Sequence, residues 1–272
     1  MPEVVTSDGV RLSYREAGSG PPLIIIPGIA QPASVFVHQL DGLRDRYRVI
    51  VYDQRGHGES GKPSYGYRLS RLAKDLSELI DALGLSRVSL LGWSLGCAVA
   101  WSYYDLFGPE RLARLVLVDG TVLLCRTPEM TEQDIADTGA VWTAAEAMEM
   151  VRSLRDDQEA VVRRLVGSFV TADRTDVEWL VGEVLRMPAE AAASLMFDYV
   201  YSDWRDVIPR ITVPTLIVGG ARSHVPTMAQ EWLHRTIPGS ELAVLPDRAH
   251  LLFYEEPEVF NELVATFLAE PR

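Results

Sequence analysis

A serine flanked by glycines carries the first chemical signal in the sequence. Ser94 stands in the pentapeptide GWSLG at 92–96, directly after an apolar run at 88–91 and before a helix-period stretch. A strand, a tight turn of small residues and a helix would expose the Ser94 hydroxyl above the end of a sheet. The N-terminus of that helix would place partial positive charge where an oxyanion could form. This pattern therefore indicates a nucleophilic serine.

Continuous apolar runs along the chain are typical of strands covered on both faces of a sheet. They alternate with helix-period segments such as 69–83 and 256–269. An alternating segment at 10–17 follows a turn at Asp8-Gly9 and predicts an antiparallel hairpin at one edge. Strands that alternate with helices predict βαβ units, and so a mainly parallel sheet. The apolar runs lie at 23–26, 49–52, 88–91, 115–118, 215–218 and 242–245.

The stretch 121–208 interrupts this alternation. It is rich in Ala, Glu, Arg, Met and Trp, carries no run of Ile and Val, and is typical of several helices. An inserted helical cap between two strands of the sheet explains the change of pattern. We therefore predict an α/β core formed by 1–120 and 209–272, with a cap at 121–208.

Composition limits the kinds of partner. The chain has 272 residues, of which 47% are hydrophobic, and a net charge of −12, which argues against nucleic acid or an anionic membrane as partner. Cys97 and Cys125 form no metal-ligand spacing, and Asp, Glu and His do not cluster with one either, so we expect no metal and no cofactor. Without a leader or a long apolar span, we expect a cytoplasmic monomer or homodimer that acts on a small molecule.

Four segments follow one another along the chain: Pro27-Gly28, the run 53–60 (DQRGHGES), GWSLG at 92–96, and Ala249-His250. In this order they resemble segments of the α/β-hydrolase superfamily, and the resemblance extends over nearly the full chain. The resemblance implies a mainly parallel eight-stranded sheet flanked by helices, with a helical cap. It implies that Ser94 is the nucleophile and that His250, after the last predicted strand, is the general base. It also implies an oxyanion hole formed by the backbone N–H groups of Ile29 and Leu95.

The other four histidines have weaker positions. His57 lies in the run 53–60, where the family residue is structural more often than catalytic. His38 and His234 fall in predicted helices or loops without a strand end beside them, and we expect surface or packing roles. His224 has the same context, although it could line the mouth of a pocket.

The third member of a catalytic triad is missing from its usual place. Most members of the superfamily carry an acid in the loop after the strand that here is 215–218. That loop reads GGARSHVP at 219–226, and Arg222 or Ser223 stands where the acid would be. We therefore expect the acid elsewhere.

Asp119 is the predicted acid. A minority of the superfamily, including some haloalkane dehalogenases and lactone hydrolases, carries the acid one strand earlier, and Asp119 directly follows the run 115–118. Strand ends of an open α/β sheet meet at one crevice, so Asp119 could reach His250 and fix its tautomer. The alternatives are weaker, because Asp53 normally braces the turn that follows it and Asp247 is only three residues from His250.

Aromatic and methionine side chains of the cap are candidates for the pocket wall, and they suggest an apolar substrate of modest size. At helical spacing such residues also form the core of a cap. Trp93, beside the nucleophile, is a further candidate that could equally pack beneath the cap. The cap candidates are Trp142, Met148, Phe169, Trp179, Met196, Phe197 and Tyr201.

Three functions fit these features. The leading one is hydrolysis of a small ester, lactone or carbon–carbon bond through an acyl-serine. The second is a cofactor-free dioxygenase of the same fold that uses the late histidine as base, and the missing acid at 219–226 keeps it open. The third is a ligand-sensing protein that retains the triad, which no feature of the sequence favours.

Overall fold

Eight strands form one sheet in the computed structural model, which describes residues 1–171 and 176–269. The strands are β1 Glu3–Val5, β2 Arg11–Ala17, β3 Pro22–Ile26, β4 Arg48–Tyr52, β5 Val88–Trp93, β6 Leu112–Val118, β7 Thr215–Gly220 and β8 Glu241–Leu245. The α-helices are α1 Val37–Leu43, α2 Leu69–Ala82, α3 Leu95–Phe107, α4 Glu132–Thr138, α5 Ala144–Asp156, α6 Gln158–Phe169, α7 Val177–Val184, α8 Ala189–Val200, α9 Thr227–Thr236, α10 Leu252–Glu255 and α11 Pro257–Ala269.

The sheet has the order β1-β2-β4-β3-β5-β6-β7-β8. The pairs β1–β2 and β2–β4 are antiparallel, and every later pair is parallel. Strands β5 and β7 are buried along their whole length, as expected where helices cover both faces of a parallel sheet. The predicted α/β fold, with its antiparallel edge, is confirmed.

The register of the central strands brings two site residues together. Trp93 at the end of β5 pairs with Val118 at the end of β6, and Val118 pairs with Val218 of β7. Ser94 and Asp119 are the next residues along β5 and β6. Their N–H groups donate to the carbonyls of Val118 and Val218, at 2.9 and 2.8 Å. The carboxyl edge of the sheet thus fixes both residues through main-chain hydrogen bonds.

The helices α4 to α8, here called the inserted helices, lie between β6 and β7 in the chain. Capping boxes begin two of them: Thr131 with Asp134 at α4, and Thr143 with Glu146 at α5. Such boxes provide hydrogen-bond acceptors for N–H groups in the first turn, which have no partner within the helix. In the described ranges, no helix is long and apolar enough to cross a membrane.

A buried polar segment after β4 braces the loop that follows β3. Gln54 Nε2 donates to the Pro27 carbonyl at 2.9 Å. The ring of His57 accepts the Ala30 N–H at Nε2, and its Nδ1 lies 2.9 Å from the Arg55 carbonyl. A carbonyl can only accept, so Nδ1 carries the proton and Nε2 keeps its lone pair. Burial lowers the pKa of His57, which favours this neutral form.

The same segment holds a buried ion pair that we expect to stabilise the fold. The guanidinium of Arg55, fully buried, donates to both carboxylate oxygens of Asp75 on α2, at 2.5 and 2.7 Å. Replacing Asp75 with asparagine leaves the Arg55 charge to Asp8, whose carboxylate lies 3.1 Å from the guanidinium and is partly exposed. The free energy of unfolding should therefore fall by about 2 kcal/mol, the scale of a lost hydrogen-bonded contact to a charged group. Urea denaturation followed by circular dichroism measures the change.

Asp81, on the same helix, supplies the matched control. It pairs with Arg111 while 58% of its side chain is exposed, and exposed pairs contribute about 1 kcal/mol or less. Asp81→Asn should therefore leave the urea midpoint almost unchanged. Equal losses in the two variants would contradict a stabilising role for the Arg55–Asp75 pair.

Candidate active site

Ser94 occupies a tight turn between β5 and α3. Its φ of 55° and ψ of −121° lie outside the regions that non-glycine residues ordinarily adopt. No side chain fits at the two flanking glycines. A Cβ at Gly92 would collide with the Gly96 carbonyl. A Cβ at Gly96 would collide with the carbonyl of Ile26 at the end of β3. The turn therefore presents the Ser94 side chain to a cavity above the sheet.

His250 and Asp119 form a buried hydrogen-bonded pair. His250 Nδ1 lies 2.6 Å from Asp119 Oδ2, and both side chains are about 1% exposed or less. The Ser223 hydroxyl donates to the same carboxylate oxygen, and the Gly220 N–H approaches Oδ1 at 3.5 Å. The loop that usually carries the acid thus donates hydrogen bonds to Asp119. With Asp119 ionised, the proton sits on His250 Nδ1 and Nε2 keeps a free lone pair.

Burial moves the pKa values of this pair in opposite directions. It raises the pKa of the Asp119 carboxyl, and the hydrogen bond from Ser223 opposes that rise. It lowers the pKa of His250 below the ordinary histidine value. A histidine with a lowered pKa is neutral at pH 7, the form that can accept a proton from a hydroxyl.

Two backbone N–H groups lie beside Ser94 and could stabilise an oxyanion. Leu95 is the first residue of α3, so its N–H has no carbonyl one turn earlier in the helix. The Ile29 N–H has no backbone acceptor among residues 1–171 and 176–269. Gly28 leaves no room for a side chain, since a Cβ there would press on the Trp93 ring and lie 3.3 Å from Ser94 Cβ.

Backbone strain is concentrated at this site. Ala30, Ser94 and Asp119 are the three non-glycine residues with positive φ in the described part of the chain. Ala30 follows Ile29, and the other two follow β5 and β6. Residues held in sparsely populated backbone regions cluster at functional sites, because the surrounding structure must enforce them.

A cavity of about 450 Å³ lies between the strand ends and the inserted helices, within the size range of small-molecule sites. Ser94, His250 and Asp119 all border it. The Phe169 ring from α6 stands 4.8 Å from the His250 ring. Of the other residues predicted from sequence for the oxyanion hole and pocket, Ile29, Trp142, Phe169 and Met196 line the cavity.

Trp93, a candidate for the pocket wall, is placed elsewhere. It is 1% exposed, its ring lies 4.9 Å from the His250 ring, and its indole N–H donates to the His250 carbonyl at 2.9 Å. A buried indole N–H needs an acceptor, and by donating to the His250 carbonyl Trp93 helps to hold the backbone of the histidine in place.

Phe197 and Tyr201 do not line the cavity, which corrects the sequence prediction. They are 48% and 40% exposed, and their rings contact each other at 5.2 Å on the outer side of α8. Helical periodicity explains the error, since Met196 and Tyr199 share the inward face of this helix. Met148 and Trp179, at 45% and 42% exposed, also lie outside the cavity.

Sequence reasoning missed Tyr199, whose hydroxyl is 3.2 Å from Thr121 Oγ1 and faces the Ser94 side chain. Ser94 and His250 both border the cavity, and no hydrogen bond joins their side chains among the described residues. Tyr199 follows Met196 by three residues, and that spacing could have identified it.

His224 lines the cavity, and its ring centre lies 4.4 Å from that of His250. It is stacked on Phe169 at 5.4 Å. In the described ranges, no three side chains of His, Cys, Asp or Glu are grouped to hold a metal ion.

Curated proteins are similar to this chain over almost all of its length. A putative non-heme chloroperoxidase from Synechocystis sp. is 30% identical, and the match covers 95% of each chain. The 3-oxoadipate enol-lactonase 2 of Acinetobacter baylyi is 28% identical, over 96% of this chain and 94% of that one.

A solved structure and a family model agree with these relatives. An esterase from Exiguobacterium antarcticum superimposes with a TM-score of 0.90 at 25% identity, over 98% of this chain and 99% of that one. The model of the alpha/beta hydrolase fold matches residues 21–257, which include the elbow at Ser94, Asp119 and His250. The chain therefore belongs to the alpha/beta hydrolase fold family.

Proposed function

We propose that the protein is a serine hydrolase that cleaves a small, largely apolar ester or lactone through an acyl-enzyme on Ser94. The observation that carries the proposal is that Ser94 and the His250–Asp119 pair border one cavity of about 450 Å³. Similarity to an esterase and an enol-lactonase supports an ester or lactone rather than a carbon–carbon bond as the group cleaved.

Acylation would begin when the Ser94 hydroxyl hydrogen-bonds to Nε2 of His250. Nε2 takes the hydroxyl proton as Oγ attacks the substrate carbonyl carbon, and the carbonyl oxygen becomes an oxyanion. The N–H groups of Ile29 and Leu95 donate to that oxygen. Asp119 stabilises the imidazolium.

Collapse of the tetrahedral intermediate would complete acylation. The His250 imidazolium gives its proton to the departing alkoxide, which leaves as an alcohol, or as a tethered hydroxyl if the substrate is a lactone. Water then repeats the sequence with His250 as base and releases the carboxylic acid and Ser94. The Tyr199 hydroxyl borders the same cavity and can hydrogen-bond a substrate oxygen.

A fluorophosphonate probe combined with a substrate panel tests this proposal. The probe should attach to Ser94 in a one-to-one ratio, located by mass spectrometry of the labelled peptide, because only an activated hydroxyl attacks phosphorus at a useful rate. Short-chain 4-nitrophenyl esters and simple lactones should be hydrolysed without added cofactor. Heat-unfolded protein serves as the control for nonspecific labelling.

Two outcomes would contradict the proposal. One is an unlabelled Ser94 in folded protein. The other is oxygen uptake with a hydroxy-heteroaromatic compound that persists in Ser94→Ala, which would favour a cofactor-free dioxygenase.

A further inference from the structure

An arginine lines the otherwise mainly apolar cavity. Arg164 lies on α6, is exposed to solvent, and borders the same cavity as Ser94 and His250, so it stands at the mouth. Leu165, Ser168 and Phe169 of the same helix also line the cavity. Residues four apart lie one above the other on a helix, so Arg164 with Ser168 and Leu165 with Phe169 form two adjoining rows on the side that faces the cavity.

Among the described residues, Arg164 differs from its neighbours in having no acidic partner. The other arginines of α5 and α6 (Arg152, Arg155 and Arg163) each pair with one or two glutamates on the outer surface. No ion pair or side-chain hydrogen bond engages Arg164 within residues 1–171 and 176–269. Its charge is available to a ligand.

The charge balance inside the cavity favours an anion. Asp119 is the one carboxylate among the described cavity-lining residues, and it is engaged by His250 and Ser223. Arg164 is the one arginine or lysine among them. The net charge of −12 repels anions at long range, so an anion that binds here would depend on the local positive charge of Arg164. The planar guanidinium matches a carboxylate with two parallel hydrogen bonds.

We propose that the substrate is an ester or lactone that also carries a carboxylate, and that Arg164 binds this carboxylate at the cavity mouth while the carbonyl meets Ser94. This inference rests on the proposed hydrolase function and names its substrate class. The apolar wall from Leu165, Phe169 and Met196 contacts the hydrocarbon part between the two ends. Arg164 is thus a specificity-determining residue.

Matched pairs of esters test the inference. The anionic members are 4-nitrophenyl hydrogen succinate, glutarate and adipate, and each is compared with its methyl ester, which has nearly the same shape and no charge. A second pair, 4-acetoxybenzoate and its methyl ester, places the charge on the alcohol side. For at least one pair, kcat/KM should be about tenfold higher for the anion, mainly through KM, as a partly exposed charge-assisted hydrogen bond would give.

Arg164→Gln should reduce that ratio to about one, whereas Arg163→Gln, which changes the paired outer neighbour, should leave the ratio unchanged. Added salt should lower the wild-type ratio by screening the pair. No preference for any anion, or an equal ratio in wild type and Arg164→Gln, would overturn the inference. Failure to hydrolyse the neutral esters and the anions alike would instead count against the hydrolase function.

Discussion

Replacing Ser94 with alanine is expected to lower kcat for an ester substrate by about 10⁶-fold, the scale at which loss of a serine nucleophile acts. What remains is substrate binding and the two N–H groups of Ile29 and Leu95, which still favour attack by water. Alanine keeps the Cβ of serine, so the backbone at φ 55° has no reason to change. Steady-state kinetics and urea denaturation of the same preparation separate loss of chemistry from loss of folding.

Ser102→Ala is the control for this experiment. Ser102 is buried in α3, eight residues after the nucleophile, and does not border the cavity. Its removal should leave kcat near the wild-type value. A Ser94→Ala enzyme that retained a substantial share of the wild-type kcat would mean that the nucleophile lies elsewhere.

Asp119→Asn should produce the next largest loss, about 10⁴-fold in kcat. An amide at residue 119 can present its NH₂ group to His250 Nδ1, which leaves the proton on Nε2 and removes the base. It also removes the negative charge that stabilises the imidazolium. Because KM depends mainly on the cavity wall, we expect it to change little.

Asp247→Asn tests whether the loss is specific to Asp119. Asp247 is three residues from His250 but exposed, and the Asp119 carboxylate occupies the Nδ1 side of the imidazole at 2.6 Å. Replacing Asp247 should therefore leave kcat unchanged. If Asp119→Asn and Asp247→Asn had equal rates, Asp119 would have no part in orienting the base.

Local patterns were sufficient to predict the sheet and the elbow at Ser94, whereas predicting the contact between Asp119 and His250 also needed the family resemblance. Apolar runs specify buried strands, and the carboxyl ends of parallel strands meet at one edge. A residue directly after β6 therefore had to lie beside the elbow that follows β5. The contact itself is observed, whereas the catalytic role of Asp119 stays a prediction.

The cavity wall could not be predicted in the same way. Phe197 and Met196 are adjacent apolar residues of α8, and only the packing of that helix on its neighbours decides which one faces inward. Arg164 and Arg163 raise the same difficulty on α6, since either could be solvated or paired. The spacing of Tyr199 from Met196 predicts that both face the same way on α8, but only the packing of that helix brings the Tyr199 side chain to the same cavity as Ser94.

The three strained positions have a consequence for engineering a more heat-resistant form. Ala30, Ser94 and Asp119 hold positive φ, and each such position costs about 1 to 3 kcal/mol, against a net stability of about 5 to 15 kcal/mol for a typical domain. Glycine would relieve the strain at all three, so selection for melting temperature alone would favour it there. At positions 94 and 119, however, glycine would also remove a side chain that the proposed reaction requires. Only at 30, where the backbone alone is used, can thermal tolerance rise without loss of turnover.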